Sequence, residues 1–255
     1  MIEAQTRRAD WSDIDVDTFT RLCEFAYLKD YQPPSYHPIK HWPPPPDAVE
    51  VARKKKKSVH SELMAKWRSA RRREKLHFGD YSPPRHVQSS YFELPLEERG
   101  GLGQKLRDSF KGNPSFTPPP TGYSAHNFAP PKNTWFWQDF TAVLVEQARL
   151  YVLADKYGIE SLCKLVLFKL VVTLRSFKLY HTGVDGVVEL VRFVYNNTRP
   201  DYGNNVDPLR KLVVRYVVSV IGQIGEQRAF KQLLNEGGDF VTDFWQIFWS
   251  LNGDT

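Results

Sequence analysis

Proline placement is the feature that most constrains how this chain of 255 residues can fold. Sixteen of the 18 prolines lie between residues 32 and 133. Because proline fixes φ and lacks a backbone N–H donor, it disfavours helix interiors and central strands over this interval. Regular structure is therefore predicted on either side of the interval, in a short segment at residues 1–31 and a longer region at residues 134–251.

The same interval carries the excess positive charge of the chain. It holds 18 Lys and Arg residues against 9 Asp and Glu residues, a net charge of +9, whereas the whole chain has a net charge of +6. Compact domains seldom contain loops of this length, and polar, Pro-rich composition is typical of disorder. Residues 32–133 are therefore predicted to form a mostly disordered, basic insertion between two folded parts, in which 58–77 and, more weakly, 95–110 have helix-forming composition.

The first segment, at residues 1–31, has the pattern of one amphipathic helix. Asp15 or Asp17 can cap it, because a short carboxylate accepts hydrogen bonds from the first N–H groups of a helix. Phe19, Leu22 and Phe25 then follow at helical spacing. Two prolines end the regular structure after this helix.

The region after residue 134 repeats the helical pattern several times. Asp185 and Asp207 are predicted caps, Pro208 suits a first helical position, and Gly158 is predicted to end a helix in the left-handed conformation. The expected helices are 136–157, 159–174, 185–196, one that begins at Pro208, 226–236 and one that begins at Asp239. The predicted fold class is mainly α: a helical array with a long Pro-rich insertion.

Three segments resemble a known domain. DVDTFTRLCEFAYLKDY at 15–31 resembles the mid-domain helix of BTB/POZ domains, and VEQARLYVLADKYGIESLCKLVLFKL at 145–170 resembles the helix hairpin that follows it in that fold. DGVVELVRFVYNNT, DPLRKLVVRYV and LLNEGGDFVTDFW resemble the C-terminal helices of BTB/POZ domain-containing proteins of filamentous fungi. The strand-rich front half of the BTB fold has no counterpart before residue 15, so the resemblance implies a truncated domain.

The resemblance implies a non-enzymatic adaptor that binds other proteins. Complete BTB domains self-associate and recruit cullin-type ubiquitin ligases or transcriptional complexes, and both roles are weakened here by the missing front half. The first helix is expected to pack on the 136–174 hairpin with the insertion looped out. Apolar surface that the front half would cover is the predicted partner surface, formed by Phe19, Leu22, Phe25, Tyr27, Tyr151 and Tyr157.

Catalytic and metal-binding patterns are not found in the sequence. Six of the seven histidines fall in the predicted insertion, where a general base cannot be held against its target. The RGGLGQK stretch at 99–105 lacks the spacing of a phosphate-binding loop. No catalytic residue, cofactor or metal ligand is therefore predicted.

Two basic clusters stand out inside the insertion. Arg53, Lys54, Lys55, Lys56 and Lys57 form the first cluster, and Arg71, Arg72 and Arg73 form the second. Their spacing resembles a bipartite nuclear import signal. Two alternatives stay open: a nuclear factor that contacts nucleic acid through residues 51–75, and charge that only keeps a linker solvated.

The cellular location of the protein is predicted from its cysteines and from the lack of a membrane-spanning segment. Cys23 and Cys163 lie among apolar helix residues, as expected for reduced thiols inside a cell. No segment is long and apolar enough for a membrane span, so the predicted location is the nucleus or the cytoplasm and membrane partners are not expected. A further alternative is an incomplete gene model without independent function.

Overall fold

The structure is a computed structural model that describes residues 11, 14–39, 94–97, 100–112, 119–123, 127–200 and 206–252. The chain forms two compact units. One comprises Met1–His37 and Pro95–Thr255, and the other comprises Pro38–Leu94. Only Pro38, Ile39 and Leu94 are described in the second unit. Every helix reported below belongs to the first unit.

The described residues are mainly helical, which confirms the predicted fold class. Their elements in chain order are α1 (Val16–Leu28), β1 (His37–Pro38), α2 (Gly100–Gly112), β2 (Gln138–Asp139), α3 (Thr141–Lys156), α4 (Glu160–Ser176), a 3-10 turn (His181–Gly183), α5 (Val184–Asn197), α6 (Pro208–Ser219), α7 (Ile221–Ile224), α8 (Arg228–Glu236) and α9 (Asp239–Asn252). The two short strands pair with each other. The core lies between the helices.

Helix α1 packs on the α3–α4 hairpin, as the sequence predicts. Its N-cap is Asp15, whose carboxylate accepts a hydrogen bond from the Thr18 N–H at 3.1 Å and so satisfies one of the first-turn donors. The Arg21 guanidinium forms an ion pair with Glu146 on α3 at 3.3 Å. Leu22 and Phe25 enter the core from the same side of α1. A helix near the chain start thus rests on residues more than one hundred positions away.

The α3–α4 hairpin is closed by a Schellman motif around Gly158. Glycine takes a φ of +67° there, a conformation that side chains with a Cβ rarely adopt. The Ile159 N–H donates to the Ala154 carbonyl at 2.8 Å, and the Gly158 N–H donates to the Asp155 carbonyl at 3.0 Å. These two bonds satisfy carbonyls that the end of α3 would leave without partners. The prediction that Gly158 ends this helix is confirmed.

Helix α6 lies at the centre of the array, in contact with α2, α4, α5 and α9. Asp207 caps it by accepting hydrogen bonds from the N–H groups of Leu209 and Arg210, and Pro208 occupies its first turn, as predicted. Its side chains are buried nearly all round, including the bulky Tyr216. The sequence stripe indicated only one buried face, and contact with four helices explains the rest.

The core extends into the interval that the proline pattern assigned to the insertion. Helix α2 packs on α6 and α7, where Leu106 and Phe110 are buried. The Phe110 ring meets Tyr216 edge to face, with 5.6 Å between ring centroids. Four of the thirteen residues of α2 are glycines, so the apolar pair at i and i+4 was the weak signal of this helix. The folded unit therefore begins again near residue 95, well before residue 134.

The N-terminus of α5 differs from the prediction. A 3-10 turn precedes the helix, Gly183 stands at the N-cap without a side-chain hydrogen bond, and Asp185 lies one residue inside the first turn. The predicted Asp185 cap is therefore wrong. The carboxylate still lies where the helix dipole favours negative charge.

A close crossing of α3 and α5 makes Gly186 sensitive to substitution. A Cβ at Gly186 would lie 2.8 Å from Thr141 Oγ1 and 3.3 Å from Thr141 Cα. Although alanine is the better helix former, Gly186→Ala is expected to lower the free energy of unfolding by about 1–3 kcal/mol, because the two helices must separate. Urea denaturation measures this change.

Gly101→Ala in α2 is the matched control, since nothing lies within 4 Å of its added Cβ. It is expected to leave stability unchanged or to raise it by a few tenths of a kcal/mol. Equal effects of the two substitutions would show that the crossing at Gly186 is not tight.

Candidate interaction surfaces

The predicted partner surface is smaller in the structure than in the sequence prediction. Leu22, Phe25 and Tyr151 are buried in the core and cannot contact a partner in this conformation. Tyr27 and Tyr157 are exposed, with 87% and 41% of their surface accessible. The buried residues belong to the side of α1 that rests on the hairpin, so the sequence stripe marked the core.

Trp11 connects two of the predicted surface residues, a contact that sequence reasoning missed. Its ring centroid lies 5.2 Å from that of Phe19 on α1 and 5.1 Å from that of Tyr157 at the hairpin turn. Aromatic pairs at such separations are favourable beyond the area they bury. Residues before Asp15 showed no periodic pattern, so a single tryptophan gave no signal. Trp11 now ties the chain before α1 to the hairpin.

Helix α1 exposes large apolar side chains near both of its ends, away from the core. Val16 and Tyr27 are 76% and 87% accessible, and eleven positions, or about three helical turns, place them on one face. Leu28, which is 72% accessible, follows directly. We call Val16, Tyr27 and Leu28 the α1 apolar face. Scattered apolar residues are normal on surfaces, but three large ones on a single short helix are more typical of a contact site.

Lys169 is a cation buried in the middle of α4. Its side chain is 1% exposed in the middle of α4, where its ammonium pairs with the Asp30 carboxylate and donates to the Tyr31 carbonyl at 2.6 Å. The ammonium also lies 4.1 Å from the centroid of the Tyr31 ring and 5.0 Å from that of Phe128. Burial lowers the pKa of Lys169, while the hydrogen bond to Asp30 and its charge oppose this shift. The ammonium therefore has both a counter-charge and ring faces around it.

Two tyrosines complete the surroundings of this lysine. Burial raises the pKa of Tyr31 well above its usual value, and the Asp30 charge adds to the rise. Tyr123 donates its hydroxyl proton to Asp30 at 3.3 Å, and burial followed by the Asp30 charge raises its pKa to about 12. Lys169 thus holds the chain after α1 and the chain around Tyr123 against α4. With its ammonium enclosed and paired, Lys169 is placed to connect segments and not to attack a substrate.

Arg210 is a second buried cation, at the N-terminus of α6. Its guanidinium donates to the Thr198 hydroxyl at 2.8 Å and to the carbonyls of Thr198 and Tyr195 at 2.8 Å and 3.1 Å. It also pairs with Asp239 on α9 at 3.2 Å and lies 4.5 Å from the centroid of the Tyr195 ring. The last carbonyls of α5 have no intrahelical donors, and a cation at that end also complements the helix dipole. Arg210 therefore joins α5, α6 and α9.

Helix α9 divides its aromatic residues between the core and the surface. Phe240 and Phe244 are buried, whereas Trp245 and Trp249 are 44% and 64% accessible. The two indoles are stacked, with 6.3 Å between ring centroids. The aromatic stripe Phe244, Trp245, Phe248 and Trp249 favoured core packing, which holds for Phe244 and is wrong for the two tryptophans.

The predicted basic clusters of the insertion fall outside the described residues. The proposed import signal, Arg53 to Lys57 and Arg71 to Arg73, lies outside them, as does the whole 51–75 segment. Within the described ranges, no group of three or more His, Cys, Asp or Glu side chains is arranged to hold a metal ion. Also within those ranges, no helix is long and apolar enough to cross a membrane.

The comparisons with known proteins found no match to this chain. No family model matches the chain, and neither the curated proteins nor the solved structures contain a match. The BTB/POZ resemblance therefore stays a prediction from the sequence, and the function must be argued from the surfaces themselves.

Proposed function

We propose that this chain is a non-enzymatic protein–protein interaction module of the BTB/POZ type. The observation that carries the proposal is the α1 apolar face, because Val16, Tyr27 and Leu28 present apolar side chains to solvent on a well-formed helix. Burying such side chains against a partner releases about 25 cal/mol for each Å² removed from water. The opposite face of the same helix is fixed on the hairpin, so a partner would meet a rigid surface.

Two further features support an adaptor role. Trp245 and Trp249 place a second exposed aromatic surface on α9, and tryptophan is enriched among the residues that dominate binding energy at interfaces. The partners proposed from the resemblance are other BTB-domain chains or components of cullin-type ubiquitin ligases. The nucleus or the cytoplasm is the proposed location of these contacts.

The test replaces the exposed side chains of α1 without disturbing its buried face. The double variant Tyr27→Ser/Leu28→Ser is expected to reduce the recovery of partners at least ~10-fold in quantitative affinity capture from the native organism, equivalent to about 1.4 kcal/mol of binding energy. BTB-domain proteins or ubiquitin-ligase components should be among the partners lost. Circular dichroism should be unchanged, since both side chains are exposed.

Leu102→Ser serves as the matched control, because Leu102 is an exposed leucine on α2, away from the α1 apolar face. This variant is expected to recover partners as the wild type does. Equal recovery by the double variant and the wild type would rule out the α1 apolar face as the partner surface.

A further inference from the structure

Arg107 on α2 is a buried cation that has no carboxylate partner in the described part of the chain. Two other cations are buried there, and each has a counter-charge. Lys169 pairs with Asp30, and Arg210 pairs with Asp239. The side chain of Arg107 is 7% exposed, yet its Nη1 is enclosed and meets no hydrogen-bond acceptor among the described residues.

The surroundings of this guanidinium are polar on one side and aromatic on another, but they carry no negative charge. Its Nη2 donates to the Phe177 carbonyl, at the end of α4, at 3.2 Å. Its Cζ lies 5.8 Å from the centroid of the Tyr216 ring on α6. The next residue along α2, Asp108, is exposed and accepts a hydrogen bond from the Gln104 amide at 3.0 Å. The charge of Arg107 is therefore stabilised only by a carbonyl dipole and a ring face.

A buried charge in such surroundings is costly. Many ionisable side chains avoid this cost by becoming neutral when they are buried, but arginine stays protonated in proteins. A water molecule on Nη1 would satisfy the hydrogen bond and leave the charge unbalanced. An anion on Nη1 would supply both the acceptor and the counter-charge, and the weakly hydrated guanidinium suits such a contact.

We propose that Arg107 binds a small inorganic anion of about the size of chloride at Nη1, and that this anion stabilises the packing of α2 against α6. The enclosure of Nη1 selects a free ion. A carboxylate of a partner protein or a nucleic-acid phosphate would have to carry its own backbone into the core. The site is separate from the α1 apolar face and does not depend on the proposed function.

Urea denaturation of the full chain tests the proposal, with sodium chloride replacing sodium gluconate at constant ionic strength. Gluconate is too large for the enclosed site, and constant ionic strength keeps the screening of surface charges unchanged. For a Kd of about 10 mM, ~100 mM chloride should lower the unfolding equilibrium constant of the wild type about tenfold. Wild-type stability that does not change with chloride would overturn the proposal.

Arg107→Met and Lys105→Met distinguish this site from a general attraction of anions to cations. Lys105 is an exposed residue of α2, so the two variants remove one positive charge each from the same helix. Arg107→Met should lose the tenfold response to chloride, and Lys105→Met should retain it. Equal responses of Arg107→Met and the wild type would contradict the assignment of the anion to Arg107.

The width of the chloride NMR resonance gives a second readout, which needs no variant and so applies even where Arg107→Met does not fold. Chloride relaxes faster when it is bound to a macromolecule, so the folded wild type should broaden the resonance more than the same chain unfolded in urea. Equal broadening by the folded and unfolded chains would indicate adventitious binding to exposed lysines and arginines, and would also overturn the proposal.

Discussion

Asp30→Asn is expected to lower the free energy of unfolding by about 3 kcal/mol, because it leaves the Lys169 ammonium buried without its counter-charge. Lys169 is almost fully buried, and asparagine offers its ammonium an amide oxygen but no negative charge. The Tyr31 carbonyl and the rings of Tyr31 and Phe128 remain and recover only part of the loss. Urea denaturation at pH 7, analysed with a common slope, measures the change.

Removing the lysine should be less harmful than removing its partner. Lys169→Met keeps the aliphatic stem and leaves Asp30, whose side chain is 39% exposed and stays hydrated. Lys169→Met is expected to lower the free energy of unfolding by about 1 kcal/mol. The double variant Asp30→Asn/Lys169→Met should be more stable than Asp30→Asn alone. Tyr31→Phe keeps the ring and should be nearly neutral. Equal losses from Asp30→Asn and Lys169→Met would contradict the proposed asymmetry.

The pH dependence of Asp30→Asn follows from the lowered pKa of Lys169. A lysine whose pKa is lower in the folded state binds fewer protons there, so stability rises with pH between the folded pKa and the unfolded value of about 10.4. Asp30 opposes the lowering, and its loss should depress the folded pKa further. The stability deficit of Asp30→Asn should therefore shrink as pH rises from 7 toward 10. A deficit that stays constant over this range would indicate that Lys169 remains charged.

Features set by local chemistry could be predicted from the sequence. Asp15, Asp207 with Pro208, and Gly158 each act through backbone groups within a few residues, so the local sequence contains the necessary information. Asp185 shows the limit of this reasoning. A suitable capping residue did not become the cap, because a 3-10 turn had already placed Gly183 at that position.

Features set by long-range packing could not be predicted in the same way. Lys169 looked like an interruption in an apolar helix, because Asp30 and Tyr31 lie about 140 positions earlier in the chain. Helix α2 carried too many glycines for a confident pattern, yet its Leu106 and Phe110 find a large apolar surface on α6 and α7.

Arg210→Met is expected to lower the free energy of unfolding by about 3–5 kcal/mol, because it removes three hydrogen bonds from a charged donor, each worth about 1.5 kcal/mol. The variant deletes donors to the Thr198 hydroxyl and to two carbonyls at the end of α5, and methionine cannot replace them. These acceptors are part-buried, so water replaces the lost donors only in part. Hydrogen exchange should also accelerate in the last turn of α5, because that turn loses its link to α6.

Arg210→Lys separates the charge from the hydrogen-bond geometry at this junction. Lysine keeps the positive charge but offers a single ammonium in place of a planar fork, so it can reach the Asp239 carboxylate or the α5 carbonyls but not all of them at once. The expected loss is about half that of Arg210→Met. Asp239→Asn should lower the free energy of unfolding by about 1 kcal/mol or less, because Asp239 is 59% exposed and water already screens its charge. If Asp239→Asn proved as damaging as Arg210→Met, the ion pair and not the carbonyl contacts would hold α5, α6 and α9 together.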